Sequence, residues 1–351
     1  MKNWYIIISL LFLVNTACKK NQTYKTFKEF PSKVDLIGFK TALNPHFKIA
    51  QLEIYNDSIL LLHQTTHDEY MAHLCNKNNF TYISSIGKIG RGPNEIKSPG
   101  ASIINSDGRI WLNDWGRKCI FEYQVDSLSN QNSNLPCNVY KTPSAIFTLF
   151  SFSQIYDSLF LYPTHNPDYY FYCANKNGII IDSLNVENKT KIYTDLNRNN
   201  ILHTAWYHHS IHPSKNMIVI AYMYSDIIVG IDFKGNIIFQ SQGPDNFQEK
   251  PTAKNLMSPD ATIAYEAVKT DNEYIYCLYQ GDEKLLSEND EIIANYPRSI
   301  LVFDWEGSPV LRMNLDHPAI DFVIDKNRKK IITYASDLGQ VLTYDLPKEL
   351  L

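Results

Sequence analysis

A glycine-rich stretch, SSIGKIGRGPNEIKSP over residues 84–99, is the first candidate for chemistry in this chain. Glycine runs expose backbone amides that cradle phosphates when they lie between a strand and a helix, in patterns such as GxGxxG or GK[ST]. Here Pro93 follows Gly92, no helical pattern comes next, and no Lys-Ser or Lys-Thr pair is present. The stretch therefore predicts a backbone turn, in which Gly87, Gly90 and Gly92 supply unusual backbone angles and Pro93 stiffens the exit.

A second copy of this pattern supports a structural role. QGPDNFQEKP over 242–251 repeats the order Gly-Pro, then Asn or Asp, then Glu, Lys and Pro. Its Gly243-Pro244 pair lies 151 residues after Gly92-Pro93. A catalytic loop is expected once in a chain, whereas a connector between repeated units recurs at equivalent positions. We therefore expect both loops to connect repeated structural units.

A histidine-rich segment, ILHTAWYHHSIHP, has the composition of a metal site: His203, His208, His209 and His212. In an extended strand, His208 and His209 point to opposite faces, and His208 and His212 lie about 13 Å apart at ~3.3 Å per residue. A metal would then require a bulge or ligands from elsewhere in the fold. We predict no metal site and no cofactor, with a divalent cation at a channel mouth as the alternative.

Aromatic and charged residues at expected loop positions are candidates for binding a sugar or a peptide. Flat aromatic surfaces stack on such ligands, and polar neighbours fix their orientation. The competing interpretation is that the aromatic residues pack between structural units. The candidate binding residues are Arg91, Glu95, Trp115, Arg117, Tyr169, Tyr170, Trp206, Tyr207 and His208.

Catalytic signatures are absent from the sequence: it contains no GxSxG, no HExxH and no Ser-His-Asp signal. No catalytic residue is predicted. Acidic residues recur near expected strand ends, where we expect them to stabilise turns and not to form a catalytic carboxylate pair: Asp114, Asp232, Asp304 and Asp345.

The N-terminus, MKNWYIIISLLFLVNTACKK, predicts export. A basic Lys2 precedes an apolar run over residues 4–14. That run is too short to span a bilayer, which requires about twenty residues, and is typical of a secretory signal peptide.

Cys18 follows small residues and resembles the cysteine of a bacterial lipobox, which is diacylated and becomes the mature N-terminus. Asn15 departs from the leucine usual at that position. We predict a lipoprotein signal peptide over 1–17 and a lipidated tether over 18–30. The alternative is an ordinary signal peptide followed by an incidental cysteine.

The residues after Cys18, KKNQTYKTFKEF, lack the early acidic cluster that resembles a surface-export signal. No aspartate follows the cysteine directly, so the inner-membrane retention signal is missing as well. The prediction is an exported protein, lipid-anchored to the outer membrane and facing the periplasm. Two acyl chains make such an anchor stable without a transmembrane helix.

Composition narrows the class of protein. Apolar residues make up 44% of the 351 residues, enough for the core of one large all-β domain. A net charge of −4 without any basic run argues against nucleic-acid binding, which requires a cationic surface. Besides Cys18, five of the six cysteines remain, without CxxC spacing, so neither a zinc ribbon nor a complete disulfide framework is predicted.

Past the tether, short β-branched and aromatic runs of about five to eight residues alternate with Asn, Asp, Gly and Pro. IIVGIDFKGNIIFQSQG (227–243) aligns with SILVFDWEGSPVLRMNL (299–315), and weaker copies lie at 169–184 and 73–87. Two consecutive hairpins form one unit, a four-stranded antiparallel meander. Such units stack as the blades of a propeller, because none of them buries its faces alone.

Six units are predicted: 45–90, 97–140, 145–192, 200–243, 258–315 and 316–351. The last has too few strands, so we expect the N-terminal KVDLIG to supply the missing strand and to close the ring. The predicted fold is an all-β, six-bladed β-propeller over 31–351, made of four-stranded antiparallel blades. Five or seven blades are the alternatives.

Two segments resemble the TolB-like six-bladed β-propeller lipoproteins of Bacteroidetes-type bacteria: IGKIGRGPNEI, and YPRSILVFDWEGSPVLRMNLDHPAIDFVIDKNRKKIITYASD. The resemblance covers nearly the whole mature chain and rests on mostly structural motifs. It implies a six-bladed propeller and a lipid anchor, and it carries no catalytic residues over.

The functional prediction is a monomeric, outer-membrane-anchored lipoprotein that acts as a non-catalytic binding or scaffolding module for a protein or glycan partner. Loops at one mouth of the propeller channel are the expected contact surface. The alternative is a propeller-type, metal-dependent lactonase or another hydrolase.

Overall fold

The computed structural model describes residues 23–43, 49–56, 58–64, 68–105, 107–124, 135–144, 151–156, 159–164, 169–185, 207–246, 263–281, 287–288, 291–292 and 296–351. Within these ranges the chain forms strands and turns, with a 3₁₀ helix over Lys348–Leu350 at the end. No helix in the described ranges is long and apolar enough to cross a membrane.

The strands form a ring of six antiparallel blades, preceded by three short N-terminal strands: β1 (Thr23–Thr26), β2 (Lys33–Leu36) and β3 (Phe39–Lys40). Blade 1 contains β4 (Ile49–Tyr55), β5 (Ile59–Gln64), β6 (Tyr70–Asn76) and β7 (Tyr82–Lys88). Blade 2 contains β8 (Pro99–Ile104), β9 (Arg109–Asp114), β10 (Cys119–Gln124) and β11 (Asn138–Lys141). Blade 3 contains β12 (Ser153–Tyr156), β13 (Leu159–Pro163), β14 (Tyr169–Asn175) and β15 (Ile180–Asn185).

Blade 4 contains β16 (Tyr207–Ile211), β17 (Met217–Tyr222), β18 (Ile227–Asp232) and β19 (Ile237–Gln242). Blade 5 contains β20 (Tyr265–Thr270) and β21 (Tyr274–Tyr279), a small inserted hairpin of β22 (Ser287–Glu288) and β23 (Glu291–Ile292), then β24 (Ser299–Asp304) and β25 (Pro309–Leu315). Blade 6 contains β26 (Ala319–Asp325), β27 (Lys330–Ala335) and β28 (Gln340–Asp345). The predicted six-bladed propeller is confirmed.

The core lies between blades, and this explains the apolar strand sequences. The middle strands β17 and β18 read MIVIAY and IIVGID, and only one residue of each is not fully buried. A strand that is covered on both faces reads as a continuous apolar run, because each side chain meets a neighbouring blade. Tyr276 and Leu278 of blade 5, for example, share one core cluster with Phe322 of blade 6.

Turns within the blades are closed by side-chain oxygens at strand ends. Asp232 Oδ1 accepts the backbone N–H groups of Lys234 and Asn236, at 2.9 and 2.8 Å, and Asp304 makes the same bonds in blade 5. Short side chains that accept such hydrogen bonds stabilise a tight turn, after which the next strand runs antiparallel to the first. Asp345 instead forms an exposed ion pair across the last two strands.

The ring closes through an N-terminal strand, as the sequence predicts, but the closing residues differ. KVDL forms β2, which adds to blade 5 as a parallel fifth strand beside β25. The missing strand of blade 6 is β3, in which Phe39 pairs with Thr343 and Lys40 with Leu342. Gly38 permits this step between blades, since a Cβ there would lie 2.9 Å from the ring of Tyr344.

The predicted tether over 18–30 contains a further strand of the propeller. β1 pairs in parallel with β19 at the outer edge of blade 4. The rings of Phe27, Phe30 and Phe303 then meet edge to face, with centroids 5.3 to 5.7 Å apart. Residues 23–30 are therefore packed against blades 4 and 5.

Phe30→Ala should destabilise the folded protein by about 3–5 kcal/mol, because Phe30 is only 6% exposed and its removal leaves a cavity. Phe39 of β3 is 56% exposed, so Phe39→Ala serves as the matched control, with a change within about 0.5 kcal/mol. Urea denaturation measures both unfolding free energies. Equal effects for the two variants would contradict the packing of the N-terminal segment.

Candidate binding site in the axial channel

A channel of about 960 Å³ runs along the axis of the propeller and is lined by the innermost strand of every blade: β4, β8, β12, β16, β20 and β26. Its volume falls within the range of small-molecule sites. The turns that follow these strands line one end, here called the mouth.

Polar contacts join each pair of neighbouring blades along the wall of this channel. In ring order from blade 1 they are Gln51 Nε2 to Ser102 O (2.9 Å), Asn105 Nδ2 to Gln154 Oε1 (3.1 Å), Ser153 Oγ to His209 Nε2 (2.9 Å), Ser210 Oγ to Thr270 Oγ1 (2.8 Å), Lys269 Nζ to Asp321 Oδ2 (3.3 Å) and Leu52 N to Asp321 Oδ2 (2.8 Å). The wall is therefore preorganised, since these side chains are held across blade junctions.

Lys269 is the centre of an ionic network in the channel. Its Nζ lies 2.9 Å from Glu53 Oε1, 2.9 Å from Leu52 O and 3.3 Å from Asp321 Oδ2. Burial disfavours the charged ammonium, but Asp321 and Glu53 outweigh burial and raise the pKa of Lys269. The lysine therefore stays protonated and is already occupied by protein acceptors.

His209 forms a serine–histidine pair that is unsuited to base catalysis. Its Nε2 lies 2.9 Å from Ser153 Oγ and its Nδ1 lies 3.4 Å from Ser151 Oγ. Burial, with a smaller contribution from neighbouring His208, lowers the pKa of His209 to about 3. A general base works best when its pKa lies near the working pH, so this imidazole is too weak a base to activate serine.

His208 and Glu266 offer free hydrogen-bonding capacity in the channel. Burial lowers the pKa of His208 to about 4, with a smaller effect of Lys269, so the ring is neutral, and its Nε2 has no hydrogen-bond partner among the described residues. Burial also raises the pKa of Glu266 to about 7. In the described ranges no group of three or more His, Cys, Asp and Glu side chains is close enough to hold a metal ion.

Two aromatic rings stand at the mouth of the channel. Tyr156, the last residue of β12, is 53% exposed, and its ring meets that of Phe233 edge to face with centroids 6.2 Å apart. Both residues line the channel, as do Asn105 and Asn216 from nearby turns. The mouth thus combines flat apolar surfaces with amide groups.

Most candidates predicted near the glycine loop lie together at the opposite end of the propeller, where blades 1 and 2 meet. Glu95 Oε2 accepts the N–H of Gly92 at 2.7 Å, and this hydrogen bond is the main cause that lowers the pKa of Glu95. Arg117 Nη2 donates to the carbonyl of Gly92 at 2.8 Å. Arg91 and Trp115 are exposed beside them.

Both glycine-proline loops connect the outermost strand of one blade with the innermost strand of the next, three blades apart. Gly87 has φ +70°, and a Cβ there would lie 2.5 Å from Leu112. Gly243 has φ +140°, and a Cβ there would lie 2.2 Å from the carbonyl oxygen of Phe27. The peptide bond to Pro244 is cis. Because glycine has no Cβ, the side chain of Leu112 can approach the backbone at Gly87, and the carbonyl of Phe27 can approach it at Gly243.

The remaining predicted residues are scattered. Tyr170 and Tyr207 are buried between blades 3 and 4, where their rings pack at 86°, so packing occupies their surfaces. Tyr169 packs against Tyr172 at the edge of the same region. His208 faces the channel. Cys18 and Trp206 lie outside the described residues.

Sequence reasoning missed the acidic and basic residues of the channel: Glu53, Glu266, Lys269 and Asp321. A signal for the channel was present in the repeat. Polar residues recur on the innermost strands, and in blades 1 to 3 Gln51, Ser102 and Ser153 follow one another at intervals of 51 residues. This interval identifies the wall of the channel in the first three blades.

Glu266→Gln should change the pH dependence of folding. Burial raises the pKa of Glu266 from 4.5 to about 7, so its contribution to stability is complete below pH 4.5 and is lost as the pH rises to 7. Between pH 4 and pH 8 the variant should gain on the order of 3 kcal/mol of unfolding free energy relative to the wild type. Urea denaturation at several pH values measures this difference. For Glu349→Gln, at an exposed position, the difference in unfolding free energy from the wild type should not change with pH. If the difference for Glu266→Gln were also independent of pH, the desolvation of Glu266 would be contradicted.

Several solved structures share the fold. A member of the DUF4221 family from Bacteroides vulgatus is 11% identical, with a TM-score of 0.60, over 91% of this chain and 97% of that chain. A protein named as exported from Bacteroides fragilis is 14% identical, with a TM-score of 0.57, over 93% and 100%. The WD40 domain of Pan2 from Neurospora crassa is 9% identical, with a TM-score of 0.51, over 90% and 95%.

Comparison at the sequence level identifies the family. No curated protein sequence matches the chain. The profile of the TolB-like six-bladed propeller-like proteins matches residues 26–327, which include all six blades in whole or in part. The ring of six blades and the match along most of the sequence agree with each other, and the chain belongs to the TolB-like family of six-bladed propeller-like proteins.

Proposed function

We propose that this chain is an exported, lipid-anchored binding protein without catalytic activity, and that the mouth of its channel binds a carbohydrate. The observation that carries the proposal is the pair of rings of Tyr156 and Phe233 at the mouth of a polar channel. Aromatic faces stack on the apolar faces of sugar rings, while amides and carboxylates bind their hydroxyl groups. A protein partner, contacting Arg91 and Trp115 at the opposite end, is the second candidate.

The polar wall suits a ligand with many hydroxyl groups. Gln51, Gln154 and Ser210 are fixed by contacts to neighbouring blades, so they lose little side-chain entropy when a ligand binds. The weak base His209 argues for binding without turnover. The structurally similar protein from Bacteroides fragilis is named an exported protein, which supports the proposal that this chain is exported too.

Tyr156→Ala should weaken carbohydrate binding about tenfold, because the ring supplies the stacking surface at the mouth. A glycan array identifies the ligand, and calorimetry measures its affinity for the wild type and the variant. Tyr82→Ala is the matched control, since Tyr82 is 58% exposed on the outer strand of blade 1, away from the channel. Binding that survives Tyr156→Ala would place the ligand elsewhere, and an array without any bound glycan would overturn the carbohydrate proposal.

Cys18→Ala should release the protein from the membrane fraction, because a diacylated cysteine supplies the two acyl chains that make anchoring stable. Fractionation of cells followed by immunoblotting measures the shift. Cys137→Ala, which removes an exposed thiol within the propeller, should leave the protein with the membrane. A Cys18 variant that stays in the membrane fraction would contradict the lipoprotein proposal.

The enzyme alternative, a metal-dependent hydrolase, has its own test. Metal analysis of the purified protein, together with melting in the presence of EDTA, distinguishes it from a binding protein. A stoichiometric metal whose removal lowers the melting temperature would favour the enzyme.

A further inference from the structure

Irregular pairing near the start of the innermost strands brings specific residues to the channel. Such irregularities occur in β4 between Ile49 and Gln51, in β8 between Pro99 and Ser102, in β20 between Tyr265 and Ala267, and in β26 between Ala319 and Phe322. A bulge inserts an extra residue and redirects its side chain. The bulged residues that line the channel are Ala50, Ala101, Glu266, Ile320 and Asp321. Blade 5 thus has a carboxylate where blades 1 and 2 have alanine.

Glu266 differs from the other carboxylates of the channel because it has no partner in the part of the chain that the structure describes. Glu53 accepts from Gln51 and Lys269, and Asp321 accepts from the N–H of Leu52. Asp271 contacts Lys326 at 3.0 Å, and Asp107 is also engaged. Within the described residues, Glu266 makes no hydrogen bond and no ion pair. Its side chain still lines the channel, so its acceptor oxygens remain available to a ligand.

His208 lies on the neighbouring strand, β16, and also lines the channel. β16 and β20 are adjacent at the junction of blades 4 and 5, where Ser210 and Thr270 are 2.8 Å apart. The Nε2 of His208 is buried and has no partner in the described part of the chain. Since burial keeps this ring neutral, one of its nitrogens is a hydrogen-bond acceptor.

Most charges around these two residues are already balanced. The cation nearest in sequence, Lys269, is held by Glu53 and Asp321. Burial alone accounts for the raised pKa of Glu266, and no cation of the described residues offsets its charge. A bound anion would be repelled by this carboxylate. A bound ammonium group would supply the missing cation and three hydrogen-bond donors.

We propose that Glu266 and His208 form a subsite for a protonated primary amine of the ligand. The inference rests on the proposed carbohydrate site and specifies its ligand as an amino sugar or another carbohydrate that carries a free amine. Glu266 lies four residues before Thr270 along β20, about 13 Å from the mouth end of that strand at ~3.3 Å per residue. A short oligosaccharide stacked on Tyr156 therefore extends from the mouth toward the subsite.

The test compares two sugars that differ only in the amine. Calorimetry at pH 7 with the purified full-length protein in detergent measures the affinity of the glucosamine dimer and of the same dimer with both amines acetylated. The wild type should bind the free amine at least about tenfold more tightly, as expected for a charge-assisted hydrogen bond. Glu266→Gln should abolish this preference for the free amine. Glu349→Gln, which alters an exposed carboxylate, should keep the preference.

Three results would overturn the subsite: equal affinity of the wild type for both dimers, a preference that survives Glu266→Gln, or a stoichiometric divalent cation that is lost in Glu266→Gln without any amine preference. Failure of both dimers to bind would reject the carbohydrate proposal for these sugars. In that case 1,4-diaminobutane is titrated. Binding of this diamine that depends on Glu266 supports the amine subsite independently of carbohydrate, and absence of binding rejects it.

Discussion

The ammonium group of Lys269 holds together parts of the chain that are far apart in sequence. It contacts Leu52 and Glu53 of blade 1 and Asp321 of blade 6 from its own position in blade 5. A propeller is stable only when its first and last blades meet, and this network joins them at the inner rim. Removing Lys269 would leave the almost fully buried carboxylate of Asp321 without a compensating charge. The same network therefore fixes the wall of the channel.

Blades 1 and 6 and the N-terminal segment close the ring through different interactions at different distances from the propeller axis. At the outer rim, β3 adds two residues to blade 6. Between the rims, Lys77 of blade 1 and Asp325 of blade 6 form an ion pair at 3.0 Å with both side chains almost fully buried. Such pairs require good geometry to offset the loss of hydration, so they favour one arrangement of the two blades. The position of the channel residues depends on this arrangement.

The sequence predicts the repeated part of the fold and fails where the repeat ends. Strands, hairpins and six blades follow from apolar runs and turn residues that recur about every fifty residues. The sequence predicts KVDLIG as the closing strand, whereas Phe39–Lys40 completes blade 6, because a strand of two residues carries no periodic signal. The tether prediction likewise missed β1, whose sequence TYKT is polar. The channel was not predicted in detail, since its lining comes from short segments of all six blades that lie far apart in the sequence.

The direction of β1 has a consequence for how ligands reach the channel. Thr23, the first residue of β1, pairs with Phe239, near the turn that contains Phe233 at the mouth. Thr23 lies five positions after Cys18, so the two residues are at most about 18 Å apart. If Cys18 is lipidated as proposed, the acyl chains insert on the side of the propeller where the mouth opens. In that arrangement the bilayer surface would face the opening, and a ligand would enter through the gap between the lipid headgroups and the protein.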